Sequence, residues 1–126
     1  MEEKPDYEAL NNSQKHIIDK GGYIFVALYY DKPAGTCALM KSYNPMYDFE
    51  LAKMAVSSKI QGKGIGWLLG MAVIDKAKSL GAKKIYLESN TLLEPAINLY
   101  RKLGFTEITG INSPYKRSNI QMVLNL

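Results

Sequence analysis

Three glycines at alternate positions, Gly62, Gly64 and Gly66, stand just before the longest helical pattern in the chain, with Lys63 and Ile65 between them. Glycine lets a backbone come close to a ligand, and the first N–H groups of a helix, at the positive end of its dipole, favour an anion. Residues 57–66 (SSKIQGKGIG) therefore read as a phosphate cradle. Two nucleotide loops are excluded. A Walker A loop needs Ser or Thr after its lysine, where Gly64 stands, and a dinucleotide fingerprint needs a third glycine where Trp67 stands. A tight strand-to-helix turn would use the same glycines with no ligand.

Other chemistries lack their parts. His16 is the only histidine and Cys37 the only cysteine, which removes Ser-His-Asp, Cys-His and multi-thiolate zinc sites as well as an intrachain disulfide. No metal is expected. A carboxylate remains: in the segment 49–56 (FELAKMAV) strand alternation puts Glu50 on one face with Ala52, Met54 and Val56, an apolar setting suited to a general base. The same parity sets Lys53 on the opposite face.

These residues need a scaffold, and 126 residues suffice for one core, so residues 1–126 are read as a single domain. Hydrophobic residues make up 47% and charged residues 22%, as in an ordinary globular protein. Sixteen Lys plus Arg against twelve Asp plus Glu leave +4, which suits an anionic small molecule, an acidic surface or nucleic acid equally. No apolar run is long enough to span a bilayer and the N-terminus (MEEKPDYEAL) is too polar for a signal peptide, so a cytoplasmic protein with no membrane partner is expected.

Tyr7, Leu10, Gln14, Ile17 and Ile18 predict a first helix ending at Gly21-Gly22. Strands follow over 23–30, 36–42 and 49–56, the last apolar on both alternating faces and hence central. A buried helix over 64–80, a strand over 84–88, a helix opened by Pro95 and closed by Gly104-Phe105, and strands over 106–109 and 120–126 complete the order α-β-β-β-α-β-α-β-β. The fold class is mixed α/β.

Gln61-Gly62-Lys63-Gly64-Ile65-Gly66 resembles the Gln/Arg-x-x-Gly-x-Gly/Ala motif of the GCN5-related N-acetyltransferases (GNAT). Asn90 together with residues 96–105 (AINLYRKLGF) is similar to their second motif, Ala-x-x-Leu-Tyr-x-x-x-Gly-Phe. The likeness extends over roughly 22–126. It implies the acyl-CoA N-acyltransferase fold, a mostly antiparallel sheet flanked by helices, and transfer of an acetyl group from acetyl-CoA to an amine in a ternary complex. It also implies that backbone groups at Met54, Ala55 and Val56 take the pantetheine arm, that the amides from Gly62 to Gly66 hold the pyrophosphate, and that Lys63 or Lys59 adds charge. Gln61 belongs to the same motif. Ile65 and Trp67 fall beside the cofactor, Asn90 and Asn98 line its side, Glu50 matches a general-base position and Tyr100 the general acid to the CoA sulfur.

Each residue has a plainer reading: Tyr100 lies on the apolar stripe of its helix with Ala96, Leu99 and Leu103, Trp67 suits packing, and most tyrosines lie in strands that serve a core. Family members usually begin with a strand and one or two helices, for which the residues before Tyr23 are too few, so the first strand and helix are expected to be missing. An uncovered sheet edge would then invite a homodimer. Acceptor choice would fall to the first helix and the loops 42–48 and 113–119. An acyl-CoA sensor without transfer activity and a small basic nucleic-acid-binding protein are the competing classes; the strand placement of the tyrosines disfavours nucleic acid.

Overall fold

The structure, a computed structural model, describes residues 22–60, 62–108 and 119–126, together with the backbone of residues 6–10. Seven strands form one sheet: β1 (Asp6–Leu10), β2 (Tyr23–Tyr29), β3 (Lys32–Lys41), β4 (Phe49–Val56), β5 (Lys84–Ser89), β6 (Thr106–Ile108) and β7 (Ile120–Asn125), in the spatial order β1-β2-β3-β4-β5-β7-β6. Helix α1 (Ile65–Ser79) and helix α2 (Glu94–Leu103) complete it. Every strand pair is antiparallel except β4 with β5. That parallel pair needs a crossover, which α1 supplies. Among the described residues no helix is long and apolar enough to cross a membrane.

The strand β1 corrects two expectations. The helical spacing from Tyr7 onward does not make a helix of residues 6–10; they pair with β2 from Asp6↔Leu28 to Leu10↔Ile24. Five residues hold less than two helical turns, so the apparent period rested on Gln14, Ile17 and Ile18, which lie outside the described residues along with His16. The edge of β2 offers a ladder of hydrogen bonds that local propensity cannot match. A first strand is therefore present, and the β2 edge that was to invite a second subunit is occupied.

Both helices lie on one face of the sheet, where Phe25, Cys37, Leu39, Leu51, Ile85 and Leu87 join Leu69, Val73 and Leu103 in the main core. Two glycines make the helix contact close. A Cβ at Gly66 would stand 2.9 Å from Leu99 Cδ2, and one at Gly70 would stand 2.5 Å from Leu103 Cδ1. Gly104 ends α2 in the left-handed region at φ 107, and the Phe105 N–H donates to the Tyr100 carbonyl at 3.0 Å, turning the Phe105 ring under the helix. The opposite face carries a smaller cluster of Ile24, Ala38 and Met40.

A bulge in β4 breaks the expected alternation. Ala38 pairs with Ala52, yet Thr36 pairs with Ala55, so β4 spends three residues where β3 spends two. Lys53 stands in that stretch with φ 55. Phe49 and Leu51 face the helices before the bulge, and Met54 and Val56 face them after it. Glu50 therefore shares its face with Ala52 but not with Met54 and Val56, because one extra residue reverses strand parity.

Candidate functional site

β4 and β5 are paired only at Phe49↔Ile85 and Glu50↔Tyr86. Beyond these pairs the strands part, and among the described residues the backbone of β4 from Leu51 onward has no ladder partner on that side. A cleft of about 480 Å³ opens between them, lined by Glu50, Lys53, Met54, Glu88, Asn90 and Tyr100 among others. Four residues singled out in the sequence, Glu50, Met54, Asn90 and Tyr100, thus meet in one place although they come from one strand, a loop and a helix. Ala55 and Val56 continue β4 past the cleft, held to β3 through Thr36 and Gly35.

From there the chain runs into the glycine loop. Gly62 and Gly64 adopt φ 81 and φ 76, conformations that side chains disfavour, and neither has a neighbour within 4 Å of where a Cβ would stand. Gly64 is the N-cap of α1, its carbonyl accepting the Leu68 N–H at 3.0 Å, and no side chain among the described residues caps the helix. The first turn carries no acidic residue. Its leading amides and the dipole end therefore suit an anion, and Lys63 is exposed beside them. Gly66 has a different duty, since its missing side chain makes room for Leu99. Ile65 is buried in the core, and Trp67 is 45% exposed on the first turn. Gln61 lies outside the described residues.

Asn90 shapes the start of α2. Its Oδ1 accepts the Leu92 N–H at 2.9 Å while its carbonyl accepts the Leu93 N–H at 2.9 Å, a local turn that fixes the side chain at the cleft wall. Asn98 does not join it. It borders a separate hollow with Thr91, Glu94, Arg101 and Glu107.

Glu50 is 4% exposed and is the only buried charged side chain among the described residues. Tyr100 is 6% exposed, meets the Phe105 ring edge-on at 6.1 Å, and has its hydroxyl pushed up to about 12, mainly by burial and further by Cys37. At neutral pH it keeps its proton and can donate. The Cys37 thiol is likewise pushed up to about 12 by burial, which makes it a poor nucleophile.

Two residues at this site escaped the sequence reading. The Tyr43 hydroxyl donates to Glu88 Oε2 at 2.7 Å and lies 3.2 Å from the Tyr86 hydroxyl. Burial raises the Tyr43 hydroxyl to about 12, and the carboxylates of Glu88 and Glu50 add to the rise. Tyr86 is raised by burial first and by its bonds to Tyr43 and Glu88 second. One signal was available: Glu88 stands two residues before Asn90, at the end of the strand that leads into the second motif.

Comparison with known proteins agrees with this geometry. The model of the Acetyltransferase (GNAT) family matches residues 1–105. YjgM of Escherichia coli, an uncharacterized N-acetyltransferase, is 41% identical over 59 residues, 47% of this chain and 35% of that protein. YvbK of Bacillus subtilis, also an uncharacterized N-acetyltransferase, is 33% identical over 103 residues, 79% of this chain and 65% of that protein. The chain thus matches about one to two thirds of the length of these relatives. Among solved structures, a Bacillus subtilis acetyltransferase in complex with CoA superposes with a TM-score of 0.76 at 24% identity, covering 98% of this chain and 99% of that one.

Proposed function

This chain belongs to the GNAT acetyltransferase family, and we propose that it moves an acetyl group from acetyl-CoA to a primary amine by direct attack in a ternary complex. The observation that carries the reading is the parting of β4 from β5, which brings Glu50, Asn90 and Tyr100 to one cleft while β4 continues to the glycine loop. The fit to acetyl-CoA rests on two features of the chain. The open edge of β4 around Met54, Ala55 and Val56 offers backbone donors and acceptors to a pantetheine arm, and the uncapped first turn of α1 offers amides to a pyrophosphate. Lys63 adds charge there. Gln61 completes the motif, Ile65 and Gly66 contribute backbone, and Trp67 is exposed on the same turn. Asn98, bordering another hollow, drops out of this reading.

Acetyl-CoA supplies a thioester whose carbonyl carbon takes the amine and whose sulfur leaves. Glu50 accepts the proton that the amine must lose as its nitrogen bonds to that carbon. Backbone N–H groups of β4 near Val56 polarise the carbonyl oxygen. Tyr100 donates its hydroxyl to the sulfur as the C–S bond breaks. A phenol raised to about 12 keeps its proton against a thiolate whose acid lies near 8.5, so Tyr100 acts as a hydrogen-bond donor to the departing sulfur and CoA leaves as the thiolate, which water protonates after release. Cys37 forms no acyl intermediate, given its burial. The cytoplasm, where acetyl-CoA is drawn on by many enzymes, is the location that suits this chemistry.

Release of free CoA thiol with a panel of primary amines tests the function. Saturable release that depends on both acetyl-CoA and an amine supports it; tight acetyl-CoA binding with no transfer to any amine would instead favour a sensor.

A further inference from the structure

On the face of the sheet away from the helices, a second set of side chains converges on the mouth of the cleft. Glu50 pairs with Tyr86 across the β4–β5 ladder, and Glu88 follows Tyr86 by two residues, so all three share one face. From strand spacing and rise the two glutamates stand at least about 8 Å apart at their Cα atoms. Tyr43 holds Glu88 by the 2.7 Å hydrogen bond, its ring meets Tyr86 edge-on at 5.9 Å, and Tyr47 stacks on Tyr86 at 5.0 Å. Tyr43 and Tyr47 both come from the loop between β3 and β4. That loop is thereby fastened to β5, and the Tyr43 hydroxyl fixes the Glu88 carboxylate in place.

Resting on the acetyltransferase reading above, we propose that the preferred acceptor is an aliphatic amine carrying a second cationic group, its reacting nitrogen at Glu50 and its second ammonium at Glu88. Glu88 is then a specificity-determining residue and Tyr43 a positioning residue that acts through it. Three charged side chains line the cleft, and two of them are acidic. Lys53, the third, is exposed at the bulge beyond Ala52. A monoamine with an apolar tail would satisfy Glu50 and leave Glu88 facing hydrocarbon, whereas a diamine presents a cation to each carboxylate, beside aromatic faces that also attract cations. The spacing of the two glutamates suits a spacer of a few methylene groups.

The test compares putrescine with n-butylamine, which share a chain length and differ in the second amine. With the wild-type protein, kcat/KM for putrescine is expected to exceed that for n-butylamine by about tenfold or more, the effect of a charge-assisted bond in a half-buried site. Glu88→Gln should bring that ratio down to about two, the statistical factor for the two equivalent amines of putrescine, Glu88→Asp should keep part of the preference, and Tyr43→Phe should lower it less than Glu88→Gln does. Acetyl-CoA binding measured by calorimetry identifies the variants that are folded. A kcat/KM for putrescine no more than about twice that for n-butylamine in the wild type, or a larger ratio that survives Glu88→Gln, would overturn the inference while leaving amine acetylation itself standing. Absence of CoA release with every amine would overturn the acetyltransferase reading and this inference together.

Discussion

Glu50 and Tyr100 line the same cleft from opposite faces of the sheet. Tyr100 comes from α2, packed with α1 on the helix side, while Glu50 points to the side of Met40 and Tyr86. They can meet only because the ladder between β4 and β5 ends at Glu50↔Tyr86, so the cleft passes through the plane of the sheet. On the acetyl-transfer mechanism proposed above, this arrangement lets the amine add to the thioester carbonyl from the Glu50 side while the sulfur is expelled towards Tyr100.

Tyr100→Phe removes the donor and leaves the packing against Phe105 in place. The hydrogen bond is needed only when the sulfur gains charge, so kcat should fall by about 10- to 100-fold while KM for acetyl-CoA stays within about twofold. Steady-state thiol release measures both. A variant with unaltered kcat would remove Tyr100 from the mechanism.

Glu50→Gln should lower kcat/KM for the amine by about 100-fold or more near neutral pH, the usual contribution of a positioned base. An unperturbed alkylamine titrates near 10.4, so raising the pH supplies neutral amine without help from the protein. The gap between variant and wild type should therefore narrow from pH 7 to pH 10. A gap that stays constant over that range would assign Glu50 a positioning role only.

Much of this was legible in the residues, and the failures have specific causes. The strands from β2 to β7 and both described helices follow from periodicity, glycine and proline placement, the cleft residues Asn90 and Tyr100 from the second motif, and Glu50 from strand alternation and its match to a base position. β1 was misread because a five-residue edge strand is defined by the partner it pairs with rather than by its own pattern. The hairpin after β2 is tighter than residues 31–35 suggested: Tyr29 pairs with Lys32, with Tyr30 and Asp31 at φ 51 and φ 62. Met54 and Val56 were set on the wrong face because a bulge has no signal in apolar spacing, and Lys53 gives no warning of a positive φ. Asn98 matched by proximity to a motif yet faces away on the exposed side of α2. Tyr43 and Glu88 meet across 45 positions of chain, a contact that no local pattern encodes.

Lys53 provides a test of the bulge. A residue other than glycine in the left-handed region costs about 1 kcal/mol, and glycine would relieve that while adding a similar entropy to the unfolded chain. Lys53→Gly should therefore unfold within about 0.5 kcal/mol of the wild type, whereas Lys53→Val, branched at Cβ, should lose about 1–2 kcal/mol. Urea denaturation of the three proteins decides it, and a Val variant as stable as the Gly variant would mean that the backbone at 53 is not left-handed.

Gly70→Ala sets helix propensity against packing. Alanine gains about 1 kcal/mol in a helix interior, but its Cβ would stand 2.5 Å from Leu103 Cδ1 in a core with little freedom, and overpacking costs about 1–3 kcal/mol. The clash should win, with a net loss of about 1 kcal/mol. Leu103→Ala alone should cost about 2–5 kcal/mol, and the double variant should be more stable than the sum of the single effects predicts. Additive behaviour would show that Gly70 and Leu103 do not touch.

Asp48 also braces the strand that forms one wall of the cleft. One carboxylate oxygen accepts the N–H groups of Lys83 and Lys84 at 2.7 and 3.0 Å, which ties the loop after β3 to the start of β5, the strand that bears Tyr86 and Glu88. These two bonds hold its carboxyl below the ordinary 3.8, with burial opposing and the two lysine charges assisting. A carboxylate favoured in the folded state stabilises the protein above the unfolded value and loses that effect as pH falls through the folded one. Asp48→Asn should therefore cost about 0.5–1 kcal/mol at pH 7, a figure reduced for its exposure to solvent. The difference should shrink as the pH drops below 3.8 and vanish under stronger acid. Thermal unfolding of both proteins from pH 7 to pH 2 measures it, and a gap that persists unchanged at pH 2 would mean that the charge of Asp48 contributes nothing to holding β5 against the loop.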